Sequence, residues 1–257
     1  MTRDMRQLDD EELRSVVAAH PYPLLFATVS GAHLYGFPSQ DSDVDLRGAH
    51  LLPLEEVVGL RPGPATIDRS WVQAGAEIDL VTHDAAKFFG LLLRRNGYVL
   101  EQLLSPLVVS GGPVHEELVA LAPDCLTRHH AHHYRGFATT QERLYLRTGE
   151  LKPLLYTFRV LLTGIHLIRT GELVADLLTL LELDPAAPRY LGELVALKAE
   201  QEHGPIPGPA SAVGPLTADL AALHLRLDEA QQVSPLPERV SAEPALHDLL
   251  IRLRTKK

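Results

Sequence analysis

Apolar positions in the first third of the chain follow the patterns of β-strands. LLFATVS (24–30) is a short apolar run, and AEIDLVT (76–82) alternates, with Ile78 and Leu80 on one face and Glu77 and Asp79 on the other. The predicted strands are 24–30, one opening at 43–45, 67–72 and 76–82. Helical patterns lie between them, so this half predicts a small mixed sheet flanked by helices.

From Asp124 onward the strand pattern ends and a helical period continues. The clearest case is 152–169, in which the polar positions share one stripe at about 100° per residue and the apolar positions lie opposite. That stripe consists of Lys152, Tyr156, Arg159, Thr163 and His166. We therefore predict an α+β domain in residues 1–122, followed by an all-helical domain in residues 123–257.

Composition narrows the class of protein without naming a function. The 257 residues are 46% hydrophobic and 22% charged, and no apolar run reaches the roughly 20 residues of a membrane span. The single cysteine excludes a disulfide framework and favours a reducing cytoplasm. The net charge of -9 argues against broad, non-specific binding of nucleic acid. We expect a cytoplasmic protein with no membrane partner.

Two carboxylates at the start of the second strand carry the first sign of chemistry. Asp43 and Asp45 point the same way because strand residues alternate faces. They repel each other unless a cation lies between them, so neutralising either is expected to relieve strain. Upstream, Gly31 permits a tight turn whose amides can face a phosphate. A phosphate-binding turn followed by a pair of acids indicates phosphoryl or nucleotidyl transfer; the alternative is a strand-edge turn with solvated acids.

The same stretch carries a family resemblance. GAHLYGFPSQDSDVDLRG (31–48) is similar to the pattern GSxxYGxxxxxSDxDxRG of the RNA-ligase-associated branch of the polymerase-beta nucleotidyltransferase superfamily. The match extends beyond the acids to Tyr35, Gly36, Ser42 and Arg47-Gly48. Ala32 departs from it, because the family has Ser there, so the backbone amide remains but the hydroxyl is lost. KPLLYTFRVLLTGIHLIRTGEL (152–173) resembles the second block of that family.

The resemblance implies a metal-dependent nucleotidyltransferase. Such an enzyme moves a nucleoside monophosphate from an NTP to an acceptor hydroxyl, on an RNA end or a protein side chain, and releases pyrophosphate. The implied metal ligands for Mg²⁺ or Mn²⁺ are Asp43, Asp45 and Asp79, with Glu77 in reserve for the third position. Gly31 and Ala32 are expected to hold the γ-phosphate.

Lys152 and Arg159 match cationic positions of the second block, and their stripe suits an NTP lying between domains. The alternatives for these two residues are a solvated helix face or an ion pair between domains.

Two other classes of function stay open at this point. A non-catalytic nucleotide-binding or antitoxin-like partner could share the scaffold, since Ala32 replaces the phosphate-binding Ser. A zinc-binding interaction module could instead be built from Cys125, His129 and His133, which are spaced by four residues and can share a helix face.

Overall fold

The computed structural model describes residues 10–39, 42–73, 75–200 and 213–255. The chain divides into two compact units. Among the described residues, the first unit contains 10–34, 42–73, 75–125 and 240–255, and the second contains 35–39, 126–200 and 213–239. The chain therefore passes from one unit to the other more than once.

A five-stranded mixed sheet forms the centre of the first unit. Its strands are β1 (Leu24–Val29), β2 (Val44–His50), β3 (Thr66–Gln73), β4 (Ala76–Asp84) and β5 (Val108–Ser110). Their order is β3-β4-β2-β1-β5; β2 and β4 are parallel, and the other neighbours are antiparallel. The mixed sheet with flanking helices confirms the predicted α+β class. The short edge strand β5 was not predicted.

One face of the sheet carries an apolar cluster that includes residues of β2 and β4. Val44 and Leu46 of β2 pack with Ile78 and Leu80 of β4, and Leu13 of the first helix covers them. Since side chains alternate along a strand, the residues between these positions point to the opposite face. Asp45 and Arg47 on β2 and Asp79 on β4 are on that opposite face.

In the part of the chain that the structure describes, seven helices complete the first unit or border it. They are α1 (Asp10–Ala18), α2 (Gly31–Tyr35), α3 (Glu55–Val58), α4 (Ala85–Leu92), α5 (Gly97–Leu103), α6 (Pro113–Cys125) and α12 (Glu243–Thr255). The turn expected at Gly31 is in fact the short helix α2, and β2 begins at Val44 rather than Asp43. Asp84 caps α4, accepting a hydrogen bond from the Ala86 amide at 3.0 Å.

The last helix belongs to the first unit and not to the helical one. Arg254 of α12 donates to both carboxylate oxygens of Asp84 at 2.7 Å, and both side chains are more than 90% buried. Arg254 also donates to the Leu52 carbonyl, and Arg252 pairs with Glu117 of α6. The helical domain expected over residues 123–257 therefore does not include α12, because the bonds of Arg254 and Arg252 attach this helix to the first unit.

The second unit is helical. It contains a 3₁₀ turn (Arg128–His130), α7 (Ala131–Thr148), α8 (Leu151–Thr170), α9 (Leu177–Leu183), α10 (Leu191–Glu200) and α11 (Val213–Val233). By length and composition α8 is a helix that could cross a membrane, which the sequence had not suggested, but 83% of its most apolar window is buried inside the protein. We interpret α8 as a core helix.

Candidate active site

The parallel pairing of β2 with β4 brings two of the predicted acids side by side. Asp45 stands opposite Asp79 in the register of the two strands, between the pairs Val44–Ile78 and Leu46–Leu80. The two side chains are 25% and 34% exposed, so both reach solvent. Alternation along each strand places both carboxylates on the sheet face opposite the apolar cluster of Val44, Leu46, Ile78 and Leu80.

Asp43, the other acid predicted at the start of the second strand, and Glu77, the reserve residue, lie in different surroundings. Asp43 is exposed and immediately precedes β2. Glu77 is also exposed, and its carboxylate accepts a hydrogen bond from the Ser70 hydroxyl on β3 at 3.2 Å. The structure thus pairs Asp79, and not Glu77, with Asp45.

Arg47, two residues after Asp45 on the same face of β2, lies between the paired acids. Its Nη2 donates to Asp45 Oδ1 at 2.6 Å and to Asp79 Oδ2 at 2.9 Å. Its Nη1 donates to the backbone carbonyls of Leu46 at 3.0 Å and Asp79 at 2.6 Å. Its Nε donates to the Tyr98 hydroxyl at 2.9 Å. A single guanidinium therefore joins β2, β4 and α5.

The charge of Arg47 is stabilised by these neighbours. Burial opposes the charged form, but Tyr98, Asp45 and Asp79 together raise the pKa of Arg47 above its usual value. The side chain is only 9% exposed. Arg47 is accordingly a permanent cation placed between two carboxylates that would otherwise repel each other.

Gly31 lies against the carboxylate of Asp45. Its φ of +62° is in the left-handed region, and the neighbouring Ser30 amide donates to the Asp45 carbonyl at 2.8 Å. A Cβ at position 31 would lie 1.7 Å from Asp45 Oδ2. Only glycine allows this approach, so position 31 shapes the acidic site directly. Ala32, the other predicted phosphate contact, is the second residue of α2 and is buried.

The polar stripe predicted on α8 is partly buried. Arg159 is 2% exposed and its guanidinium carbon lies 3.7 Å from the centre of the Tyr35 ring. Thr163 is fully buried and donates to the Val174 carbonyl at 2.9 Å. Lys152 is partly exposed. Arg159 and Tyr35 come from the two separate sequence blocks of the resemblance, and both belong to the helical unit.

Neighbouring contacts hold the segment after Tyr35 in the same unit. Tyr156 of α8 meets the rings of Tyr35 and Phe37 edge-on, with ring centres 5.5 and 5.4 Å away. Lys198 of α10, which is 1% exposed, donates to the Ser39 hydroxyl at 3.2 Å. The described part of the loop that connects α2 to β2 is therefore packed on α8 and α10.

Comparison with known proteins decides the family. A sequence model of the RNA repair pathway DNA polymerase beta family (RlaP) matches residues 5–252. The chain belongs to this family. Its membership confirms the polymerase-beta resemblance seen in the sequence and supports a general role in nucleotidyl transfer.

Two individual proteins are also similar to this chain, one in sequence over part of its length and one in structure at low sequence identity. An uncharacterized protein of the archaeon Methanocaldococcus jannaschii is 31% identical over 154 residues, which are 59% of this chain and 63% of that protein's length. The crystal structure of a nucleotidyltransferase-like protein from Exiguobacterium sibiricum is 12% identical and matches with a TM-score of 0.33, covering 94% of this chain and 78% of the other.

A polymerase-beta family protein implies divalent metal ions, and the oxygen donors here fit a hard cation. Mg²⁺ is typically bound by one or two carboxylates, with water and substrate phosphates as the other ligands. Asp45 and Asp79 supply such a pair. Within the ranges the structure describes, no three His, Cys, Asp or Glu side chains converge tightly enough to enclose an ion by themselves. Asp43, Asp45 and Asp79 therefore do not form a three-carboxylate group, and Asp45 with Asp79 is the part of the predicted set that the structure brings together.

Cys125, His129 and His133 are all described residues and belong to no group of three side chains that could hold a metal ion, so the structure gives no support to the zinc alternative. Burial also raises the pKa of the Cys125 thiol to about 11, with a smaller contribution from Asp124. Since zinc binds the thiolate, this environment disfavours a zinc ligand at Cys125.

Sequence reasoning missed the role of Arg47, although the signal was present. The spacing Asp43-x-Asp45-x-Arg47 puts one cation on the strand face that carries two acids. It was noted only as part of the family pattern. Tyr98 of α5 is the aromatic residue whose hydroxyl accepts a hydrogen bond from Arg47 Nε.

Proposed function

We propose that this protein transfers a nucleoside monophosphate from an NTP to an acceptor hydroxyl and releases pyrophosphate. The observation that carries the proposal is the register of β2 with β4, which sets Asp45 beside Asp79, with Gly31 at the start of α2 against the Asp45 carboxylate. Membership of the RNA repair pathway DNA polymerase beta family supports the reaction class.

In this proposal Asp43, Asp45 and Asp79 hold Mg²⁺ or Mn²⁺. The bound ions would steady the β,γ-phosphates and lower the pKa of the attacking hydroxyl. Asp79, 34% exposed at its side chain, is placed to accept the proton of the acceptor hydroxyl. Gly31 leaves the space that the Asp45 carboxylate occupies, because a Cβ at position 31 would clash with Asp45 Oδ2.

The triphosphate contacts are proposed from the two blocks of sequence. Gly31 and the amide of Ala32 are assigned to the γ-phosphate. Lys152 and Arg159 are assigned to charge on the triphosphate, where a planar guanidinium can make two hydrogen bonds at once. The guanidinium carbon of Arg159 lies over the Tyr35 ring, a cation–π contact that helps to hold the cation in place.

For the acceptor we propose an RNA end, because the family description names an RNA repair pathway. The overall charge of -9 means that any RNA contact must be local rather than spread over the surface. A protein hydroxyl is the other acceptor that the same chemistry permits.

The direct test supplies each NTP, labelled at the α-phosphate, together with Mg²⁺ or Mn²⁺ and either RNA oligonucleotides with a free 3′-hydroxyl or protein acceptors. We expect label on the RNA together with release of pyrophosphate, and neither in EDTA. Label on protein alone would keep the reaction and change the acceptor.

The non-catalytic alternative predicts a different outcome from the same assay. An antitoxin-like or purely nucleotide-binding protein would bind NTP, measured by titration calorimetry, without releasing pyrophosphate under any combination of acceptor and metal. That result would overturn the proposed transfer reaction while leaving nucleotide binding intact.

A further inference from the structure

We propose that Arg47 is a positioning residue that serves as the built-in counter-ion of the metal site. It holds Asp45 and Asp79 together before metal arrives, and its charge lowers the affinity of the site for divalent ions. The inference rests on the proposed function, because it assumes that these two acids are metal ligands. It adds a residue and a control of metal affinity that the family membership does not supply.

The hydrogen bonds of Arg47 use every N–H donor of its guanidinium. A guanidinium has five N–H donors in a rigid fork, and all five donors of Arg47 have acceptors between 2.6 and 3.0 Å. Two of these acceptors are the carboxylates, two are backbone carbonyls and one is the Tyr98 hydroxyl. Lysine has three donors and no fork, so it could carry the charge but not the arrangement.

Arg47 bonds to one of the two oxygen atoms of each carboxylate. The guanidinium binds Oδ1 of Asp45 and Oδ2 of Asp79. Asp45 Oδ2 is the atom that faces Gly31, where no side chain intervenes. One oxygen of each acid is thus oriented by Arg47, and we assign the other oxygen of each acid to the metal.

Electrostatics then sets the sign of the effect on metal binding. A fixed positive charge bonded to two metal ligands repels a divalent cation that binds the same ligands, and the repulsion is strong where the group is mostly buried. Removing the charge should therefore tighten metal binding. The two aspartate side chains also become less ordered, which opposes metal binding. This second effect is smaller, because ordering a short side chain costs less free energy than a unit charge exerts at contact distance.

The test measures Mn²⁺ affinity by electron paramagnetic resonance in wild type, Arg47→Met and Arg47→Lys, with thermal unfolding in EDTA and in Mn²⁺. For Arg47→Met we expect Mn²⁺ to bind about tenfold more tightly than to wild type. In EDTA this variant should unfold at a lower temperature than wild type, and Mn²⁺ should raise its midpoint by more than it raises that of wild type. Arg47→Lys keeps the charge, so its Mn²⁺ affinity should stay within about threefold of wild type while its midpoint in EDTA falls.

A purely structural arginine gives a different pattern. It would lower the midpoint equally with and without Mn²⁺, and Mn²⁺ affinity would be unchanged or weaker in Arg47→Met; either result overturns the inference. If Arg47→Met does not fold, Arg47→Lys decides the question, because tenfold tighter Mn²⁺ binding by a variant that keeps the charge would also refute it. Asp45→Asn identifies failure of the proposed function itself: if it binds Mn²⁺ as wild type does, the acids are not the metal site.

Discussion

At the scale of single residues, Arg47 changes the expected behaviour of the acids around it. From the sequence, Asp43 and Asp45 are two repelling charges, and neutralising either is expected to stabilise the metal-free protein slightly. In the structure the Asp45 carboxylate is bonded to a buried guanidinium at 2.6 Å. Removing that carboxylate charge leaves part of the guanidinium charge uncompensated, so the expected sign reverses for Asp45.

We therefore predict that Asp45→Asn destabilises the protein in EDTA by roughly 1–2 kcal/mol, since hydrogen bonds to charged groups contribute about that much and the pair is partly exposed. Asp43→Asn is the matched control. The five donors of Arg47 are bonded to other acceptors, so Asp43→Asn leaves those bonds intact and should change stability by less than Asp45→Asn does. Urea unfolding of both variants measures the difference. Equal or greater stability of Asp45→Asn would show that Arg47 does not depend on this carboxylate.

The residues of the site divide into those that sequence reveals and those that it does not. The spacing of Asp43 and Asp45 and the alternation around Asp79 were readable because strand geometry fixes which faces they share. The pairing of Asp45 with Asp79 was not readable, because register between strands that are far apart in sequence depends on the whole sheet. Their shared bond to Arg47 follows from that register.

At the scale of secondary structure, long periodic elements were predicted and short ones were missed. Strands β1 to β4 and helix α8 were recognised from their patterns. β5 has three residues and α2 has five, which is too short for either a period of two or one of 3.6 to appear. Periodicity also identifies the polar stripe of a helix but not its surroundings, which is why the burial of Arg159 and Thr163 was not expected.

The C-terminal helix α12 gives a prediction at this scale. Arg254 forms a two-pronged bond with Asp84, which also caps α4, and both side chains are more than 90% buried. Breaking a buried pair by removing one partner leaves an uncompensated charge, so Arg254→Met should cost about 3 kcal/mol or more of stability.

The neighbouring Arg252 supplies the control. Its pair with Glu117 is exposed at both side chains, by 48% and 39%. An exposed pair contributes at most about 1 kcal/mol, so Arg252→Met should have a small effect. Chemical denaturation of both variants compares the two positions on one helix. Similar losses in both would contradict the anchoring of α12 through Asp84.

At the scale of the whole molecule, the chain forms two units that are not two consecutive halves. The unit that contains the mixed sheet also contains α12, and the helical unit contains the segment 35–39, which begins at the last residue of α2. Composition along the chain revealed the change from strands to helices near Asp124. It could not reveal α12 or segment 35–39 changing unit, because these assignments depend on Arg254 and on the aromatic contacts of Tyr156.

Arg159 gives a prediction for the helical unit. If Arg159 binds the triphosphate, Arg159→Ala should weaken NTP affinity by roughly 1.5–3 kcal/mol, the range for hydrogen bonds to charged groups. Arg159→Lys should not restore it, because lysine lacks the planar fork that lies over Tyr35. Titration calorimetry of NTP with Mg²⁺ measures both variants, with the exposed Arg169→Ala on the same helix as control. Wild-type affinity in a folded Arg159→Ala protein would assign this arginine to packing alone.

The central claim is that Asp79, paired with Asp45 across β2 and β4, completes a catalytic metal site. The measurement that tests it most directly is the rate of pyrophosphate release from NTP and Mg²⁺ by Asp79→Asn and by its matched control Glu77→Gln. Both acids lie on the same side of β4, but Glu77 is bonded to Ser70 and only Asp79 lies opposite Asp45. We predict a loss on the order of 10²-fold or more for Asp79→Asn and a change of less than about threefold for Glu77→Gln. Wild-type release by a folded Asp79→Asn protein, or the reverse ranking of the two variants, would contradict the claim.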